Sequence, residues 1–111
     1  MILTDEKPLM EMAEAIVREM DPERIIFFGS RARGDNTEAS DIDLLVIRRE
    51  PFGPGQKRRQ EIARIRRALS SFRMAKDILV YSSDEFAKWQ HSLNHIIARS
   101  LQEGKTIYER S

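Results

Sequence analysis

The chain has 111 residues, of which 41% are hydrophobic and 33% are charged, and its formal net charge is +1 at pH 7. This length suits one domain, residues 1–111, built around one hydrophobic core. The lack of cysteine excludes disulfides, thiolate metal sites and thiol nucleophiles. Since no apolar run is as long as a membrane span and the first residues do not form a secretory signal, we expect a cytoplasmic protein with no membrane partner.

Hydrophobic periodicity predicts an α/β fold with a small sheet. Apolar residues at three- and four-residue spacing indicate helices, and short runs of β-branched and aromatic residues indicate strands. The linker between the first two strands, residues 30–40, is near the minimum length for a parallel crossover. In chain order, the sequence predicts a helix at 4–20, a strand at 24–28, a short helix opening at 30–34, a polar loop at 36–40, a strand at 41–47, a loop at 50–56, a helix at 57–72, a strand at 78–81 and a helix at 83–103.

The charges are distributed unevenly along the chain. Residues 1–47 contain 5 basic and 11 acidic residues, whereas residues 48–76 contain 10 basic and 2 acidic ones. Such a basic segment is most often a solvated helix face, although it can also dock an acidic partner or bind RNA. Because aromatic residues do not alternate with the arginines, we expect no stable nucleic-acid binding. Four arginines are expected to lie mostly off the apolar stripe of their helix, namely Arg58, Arg59, Arg66 and Arg67.

The first candidate site follows the first strand. Gly29 and Ser30 end an apolar run and open a short helix. Backbone N–H groups and a hydroxyl in this position can bind an anion such as phosphate. Taken alone, the pair is more often an ordinary strand-to-helix turn in which Ser30 caps the helix.

Three aspartates form the second candidate site. Asp41 and Asp43 are two residues apart in a strand, so their carboxylates project from the same face, and such oxygens favour Mg²⁺ or Mn²⁺. Asp77 opens the third strand, which can lie beside the second. A third carboxylate there could bind a second cation or deprotonate a hydroxyl. Each aspartate alone could instead cap a loop or a strand end.

The second strand is expected to be buried on both faces. Ile42, Leu44 and Val46 point to the core, while Leu45 and Ile47 continue the face that carries the aspartates. Another element must therefore cover that face further along the strand.

A phosphate-binding turn beside carboxylates that can hold two metal ions suits phosphoryl or nucleotidyl transfer. Two cations can stabilise both the attacking and the leaving oxygen of an in-line displacement. Positioning and charge neutralisation provide most of the catalysis in such reactions.

Two segments carry a resemblance to a known family: GSRARG at 29–34 and SDIDL at 40–44. Their Gly-Ser, ten-residue spacer and Asp-x-Asp pattern resembles the signature of the DNA polymerase β superfamily of nucleotidyltransferases. The flanking residues are similar to those of the minimal nucleotidyltransferase (MNT) family, as is the tail from Ile97 to Glu109. Asp77 stands where that family has its third acid. The resemblance implies a polymerase β-like fold, with a small mixed sheet flanked by helices.

The resemblance also implies roles for the site residues. Gly29 and Ser30 would hold the β- and γ-phosphates of ATP, Asp41 and Asp43 would bind metal, and Asp77 would complete a second metal site and activate the acceptor hydroxyl. The implied cofactor is Mg²⁺, as two ions.

The resemblance further implies a partner. MNT proteins are commonly paired with HEPN-domain RNase toxins and, in characterised cases, transfer AMP from ATP to a toxin tyrosine. We therefore expect an adenylyltransferase antitoxin. The alternative is a non-catalytic antitoxin that blocks its partner by contact.

Three further residues have weaker signals. Arg33 could contact the triphosphate, but a local pairing with Asp35 or Glu38 is the simpler interpretation. His91 and His95 are four residues apart on a predicted helix. We expect them to be structural rather than a metal pair, because no further ligand lies between them.

Overall fold

The computed structural model describes residues 1–34 and 41–111. The predicted loop at 36–40 therefore lies outside the described residues. The elements, in chain order, are α1 (Lys7–Met20), β1 (Arg24–Phe28), α2 (Gly29–Arg33), β2 (Ile42–Arg48), α3 (Arg58–Ala68), β3 (Lys76–Ser82), α4 (Ser83–Trp89), α5 (Ile96–Glu103) and β4 (Lys105–Glu109). Among the described residues, no helix combines the length and apolarity needed to cross a membrane.

The four strands form one mixed sheet in the order β3-β2-β1-β4. β2 is parallel to β3 but antiparallel to β1, and β4 is also antiparallel to β1. The prediction of a small mixed sheet flanked by helices is confirmed. The linker after β1 is not a parallel crossover: it reverses the chain, which explains how so few residues suffice.

Buried side chains form a separate cluster on each face of the sheet instead of one core. Ile42, Leu44 and Val46 of β2 pack against α1 and α3. Leu45 and Ile47 pack on the opposite face, where α5 contributes Ile97 and where residues of α4 are half-buried. The prediction that another element covers the aspartate-bearing face of β2 is thereby confirmed. The larger cluster contains buried residues of α1 and α3 and the residue that follows α3, namely Leu9, Met12, Ala13, Ala15, Ile16, Ile65 and Leu69.

The end of the chain differs most from the prediction. The single helix predicted at 83–103 is two helices, and the strand β4 that follows was not predicted. His95 marks the start of the second helix, because the N–H of Ile97 donates to its Nδ1 at 3.2 Å at the start of α5. The His95 ring also stacks on Trp89, with 4.7 Å between ring centroids and 9° between planes. A side chain that accepts a hydrogen bond from a backbone N–H two residues later is typical of the residue just before a helix.

Arginines of α3 cover the outer edge of the sheet at β3. Arg66 donates to the carbonyl of Lys76 at 3.2 Å, and Arg58 donates to the carbonyl of Val80 at 2.6 Å. Strand edges with unpaired backbone groups invite pairing with other chains, and charged side chains placed there oppose it. Part of the basic segment is thus committed to the fold.

Arg58 corrects an expectation about that segment. It was expected to lie mostly off the packed face, but it is half-buried and forms a forked pair with Glu85 at 2.9 and 2.6 Å. Its guanidinium also lies 4.7 Å from the ring centroid of Phe52 and 4.9 Å from that of Tyr81. Replacing Arg58 would therefore disturb packing as well as charge.

The Arg58–Glu85 pair makes stability depend on pH. The hydrogen bond from Arg58 lowers the pKa of Glu85 from 4.5 to about 2. Glu85→Gln should lower the free energy of unfolding at neutral pH by about 1 kcal/mol, since a charged hydrogen bond contributes ~1.5–3 kcal/mol and partial exposure reduces this. A depressed acid pKa stabilises the fold above the ordinary pKa and loses this effect as pH falls through the folded value. Urea unfolding should show the two proteins converging between pH 4.5 and about 2; a constant difference would contradict the ionic origin.

Candidate active site

The predicted site residues gather at one end of the sheet. Asp43 lies in β2, opposite Phe28 of β1 on one side and opposite Asp77 of β3 on the other. Gly29 follows Phe28 directly and begins α2. Asp41 is exposed just before β2. The sheet thus brings Asp43 next to both the Gly-Ser turn and the third aspartate, as the pattern predicted.

Gly29 and Asp43 are in close contact. A β-carbon at position 29 would lie 2.0 Å from Oδ2 of Asp43 and 2.9 Å from its Cγ. Gly29 also has φ +81°, a backbone region that residues with a β-carbon rarely adopt. Only glycine lets the turn approach the carboxylate this closely.

Electrostatic crowding acts on Asp43. Burial raises the pKa of Asp43 most, the carboxylates of Asp77 and then Asp41 raise it further, and Arg33 opposes them. Asp77 and Asp41 are thus both close enough to repel the carboxylate of Asp43. A cation placed among them would relieve that repulsion.

The acidic residues fit a divalent cation that shares its ligands with a substrate. Within residues 1–34 and 41–111, no three acidic or histidine side chains already surround one point closely enough to hold a metal ion alone. Mg²⁺ is usually held by one or two carboxylates together with water and substrate phosphates. Asp41, Asp43 and Asp77 supply the oxygen ligands that it prefers, and the number of ions stays a prediction.

The structure assigns a contact to each of two residues with weaker sequence signals, Arg33 and His95. Arg33 pairs with Glu103 of α5 at 2.8 Å; the suggested partners Asp35 and Glu38 lie outside the described residues. Nothing in the sequence signals this contact, since 70 positions separate its two residues. His95 caps α5, which confirms a structural role for that histidine.

A comparison with protein families identifies the fold and the class of chemistry. The family model for the nucleotidyltransferase domain matches residues 9–105. The chain belongs to the nucleotidyltransferase domain family. The matched range includes the Gly-Ser turn, the three aspartates and all strands up to the first residue of β4, so the predicted enzyme class is confirmed.

Two curated relatives from Methanocaldococcus jannaschii are both named "Putative protein adenylyltransferase". One is 30% identical over 109 residues, which is 96% of this chain and 100% of the relative. The other is 41% identical over 58 residues, which is 52% of this chain and 54% of the relative. The chain thus matches the whole of one relative and about half the length of the other.

Solved structures share the nucleotidyltransferase fold. A nucleotidyltransferase of Sulfolobus solfataricus, named as putative, has a TM-score of 0.65 and 22% identity, covering 94% of this chain and 79% of that one. A chain of a toxin–antitoxin solved with AMP-PNP has a TM-score of 0.54 and 19% identity, covering 92% of this chain and 74% of that one. At these identities the likeness concerns the fold.

The contact between Gly29 and Asp43 predicts a loss of stability in a Gly29 variant that is larger than the loss from the positive φ alone. Gly29→Ala should destabilise the chain by about 1–3 kcal/mol more than Gly55→Ala, because its methyl group must displace the Asp43 carboxylate. Gly55 is the matched control: its φ is also +81°, but no atom of the described residues lies within 4 Å of a β-carbon there. Chemical denaturation of both variants measures the difference, and equal losses would mean that the carboxylate moves aside freely.

The crowded carboxylates predict that the site costs stability when no cation is bound. Asp43→Asn should raise the melting temperature of metal-free protein at neutral pH, because it removes a charge whose pKa is raised in the folded chain. The gain should be full above the folded pKa and vanish below about pH 3, where the carboxyl is protonated in both folded and unfolded chains. Thermal melts in a chelator across this range test it. A gain that persists at low pH would have a cause other than charge.

Proposed function

We propose that this nucleotidyltransferase uses Mg²⁺, as two ions, to transfer AMP from ATP to a tyrosine hydroxyl of a HEPN RNase toxin and thereby neutralises it. The observation that carries the proposal is the position of Asp43 between Gly29 and Asp77, with Asp41 at the same end of the sheet. This arrangement supports a triphosphate site next to the acids. The relative that matches almost the full chain is named as a protein adenylyltransferase, which supports a protein acceptor.

The proposed reaction is an in-line displacement at the α-phosphorus of ATP. The acceptor oxygen forms a bond to this phosphorus, the bond between it and the α,β-bridging oxygen breaks, and pyrophosphate leaves. The hydroxyl proton passes to the carboxylate of Asp77. Backbone N–H groups of Gly29 and Ser30, with the Ser30 hydroxyl, hold the β- and γ-phosphates. Mg²⁺ bound by the aspartates would supply neutralisation of the phosphate charge.

The acceptor is proposed to come from outside the chain. Asp41 and Asp77 are both exposed, so a second macromolecule can approach the site from solvent. We propose that residues 1–111 act as one nucleotidyltransferase domain in the cytoplasm, where ATP is supplied. The chain of a toxin–antitoxin with AMP-PNP that shares the fold agrees with a toxin as the partner, and the resemblance of the sequence to the MNT family implies that this toxin is a HEPN RNase.

The decisive experiment is transfer of label from α-labelled ATP to a co-expressed HEPN protein. We expect Mg²⁺-dependent incorporation of AMP on a tyrosine, identified by peptide mass spectrometry, and none with Asp43→Asn. Inhibition of the RNase by both the wild type and Asp43→Asn without any label would overturn the enzymatic proposal and favour the contact-only antitoxin.

The proposed phosphate contact predicts a specific loss. Ser30→Ala should reduce kcat/KM for ATP by roughly 10- to 150-fold, since a hydrogen bond to a charged acceptor contributes about 1.5–3 kcal/mol. The melting temperature should change little, because Ser30 is not among the buried polar residues. Steady-state kinetics measure the effect, and an unchanged kcat/KM would remove Ser30 from the site.

A further inference from the structure

The C-terminal end of α5 lies against the proposed phosphate turn. Glu103, the last residue of α5, accepts a hydrogen bond from Nη1 of Arg33, the last residue of α2, at 2.8 Å. The two side chains are 33% and 40% exposed, so both are within reach of a ligand. The pair links α2, which begins with the Gly-Ser turn, to α5 near the other end of the chain.

The backbone next to Glu103 is held in place by close packing. A β-carbon on Gly104 would lie 2.6 Å from the carbonyl oxygen of Phe27 and 2.9 Å from Cβ of Phe28. The N–H of Gly104 also donates to the carbonyl of Ser100 at 2.8 Å. The end of α5 is therefore fixed against the last residues of β1, immediately before Gly29, and the Glu103 carboxylate extends from a rigid support.

Arg33 faces the acidic site as well as Glu103. It is the cation that opposes the raised pKa of Asp43, which places its charge near that carboxylate. Arg33 also follows Ser30 by three residues in α2, and residues at this spacing lie on the same side of a helix. A guanidinium in this position can contact a phosphate bound at the turn.

We propose that Glu103 is a positioning residue that acts through Arg33, holding the guanidinium where a bound triphosphate meets it. A long arginine side chain loses conformational freedom when it binds a ligand, and immobilising one such side chain costs roughly 2- to 12-fold in affinity. Glu103 pays part of this cost before the nucleotide arrives. The inference rests on the proposed function, because it requires ATP as the ligand.

The test is a double-mutant cycle on ATP binding in the presence of Mg²⁺, measured by calorimetry on the full chain. Glu103→Ala should weaken ATP binding by about 3- to 10-fold, and Arg33→Ala should weaken it more. The double variant should bind like Arg33→Ala alone, because Glu103 has no effect once Arg33 is absent.

A second ion pair provides the matched control. Arg64 and Glu19 are 2.7 Å apart with side-chain exposures of 44% and 39%, and they join α1 to α3, away from the aspartates. Glu19→Ala should leave ATP affinity unchanged, and both glutamate variants should unfold at nearly the wild-type temperature, since exposed pairs stabilise weakly.

The outcomes separate the inference from the proposed function. Wild-type affinity in Glu103→Ala, or an additive loss in the double variant, would overturn the positioning role while the wild type still binds ATP. Failure of the wild type itself to bind ATP would overturn both. A loss in Glu103→Ala that disappears in the Arg33→Ala background supports the inference.

Discussion

The two-residue alternation of β2 is the constraint on which the rest of the molecule depends. Its even-numbered side chains, such as Leu44, pack under α1 and α3, and Leu45 and Ile47 pack under α4 and α5. Asp43 occupies the one position on the second face that lies at the end of the sheet, beside Gly29. A shift of one residue in the register would bury the carboxylate in the larger cluster and place an apolar side chain beside Gly29 instead. Hydrophobic burial thus fixes the geometry of the candidate site.

The candidate site concentrates negative charge at one end of the sheet. Burial and two neighbouring carboxylates make ionisation of Asp43 unfavourable, with Arg33 as an opposing charge. Elsewhere the described residues include ion pairs between opposite charges, as in the forked contact between Arg58 and Glu85. Like charges gathered around Asp43 are typical of a site that binds a cation, as the proposed function requires. Opposite charges in contact, as in Arg58 and Glu85, are typical of an ion pair that stabilises the fold.

The sequence was informative where a signal is local. The short apolar run of β1 and the Asp-x-Asp spacing were sufficient to predict the central strands and the gathering of the aspartates. The prediction missed β4, which forms by pairing with β1, a strand far away in the sequence. It also missed that His95 caps a new helix, with its ring stacked on Trp89. The pairing of Arg33 with Glu103 spans 70 positions, and no local pattern in the sequence predicts it.

The close approach of Gly29 to Asp43 also has an evolutionary consequence. Every single-base change in a glycine codon that yields another amino acid introduces a β-carbon, and here that atom would fall 2.0 Å from a carboxylate oxygen. One point mutation would therefore displace the Asp43 carboxylate while every aspartate remains, and under the proposed mechanism this displacement would stop the chemistry. Consider a descendant of this chain that kept all three aspartates but lost Gly29. Its acidic motif would predict an enzyme, but under the proposed mechanism it would only bind its partner. In such descendants, the residue at position 29 would indicate loss of catalysis earlier than the aspartates would.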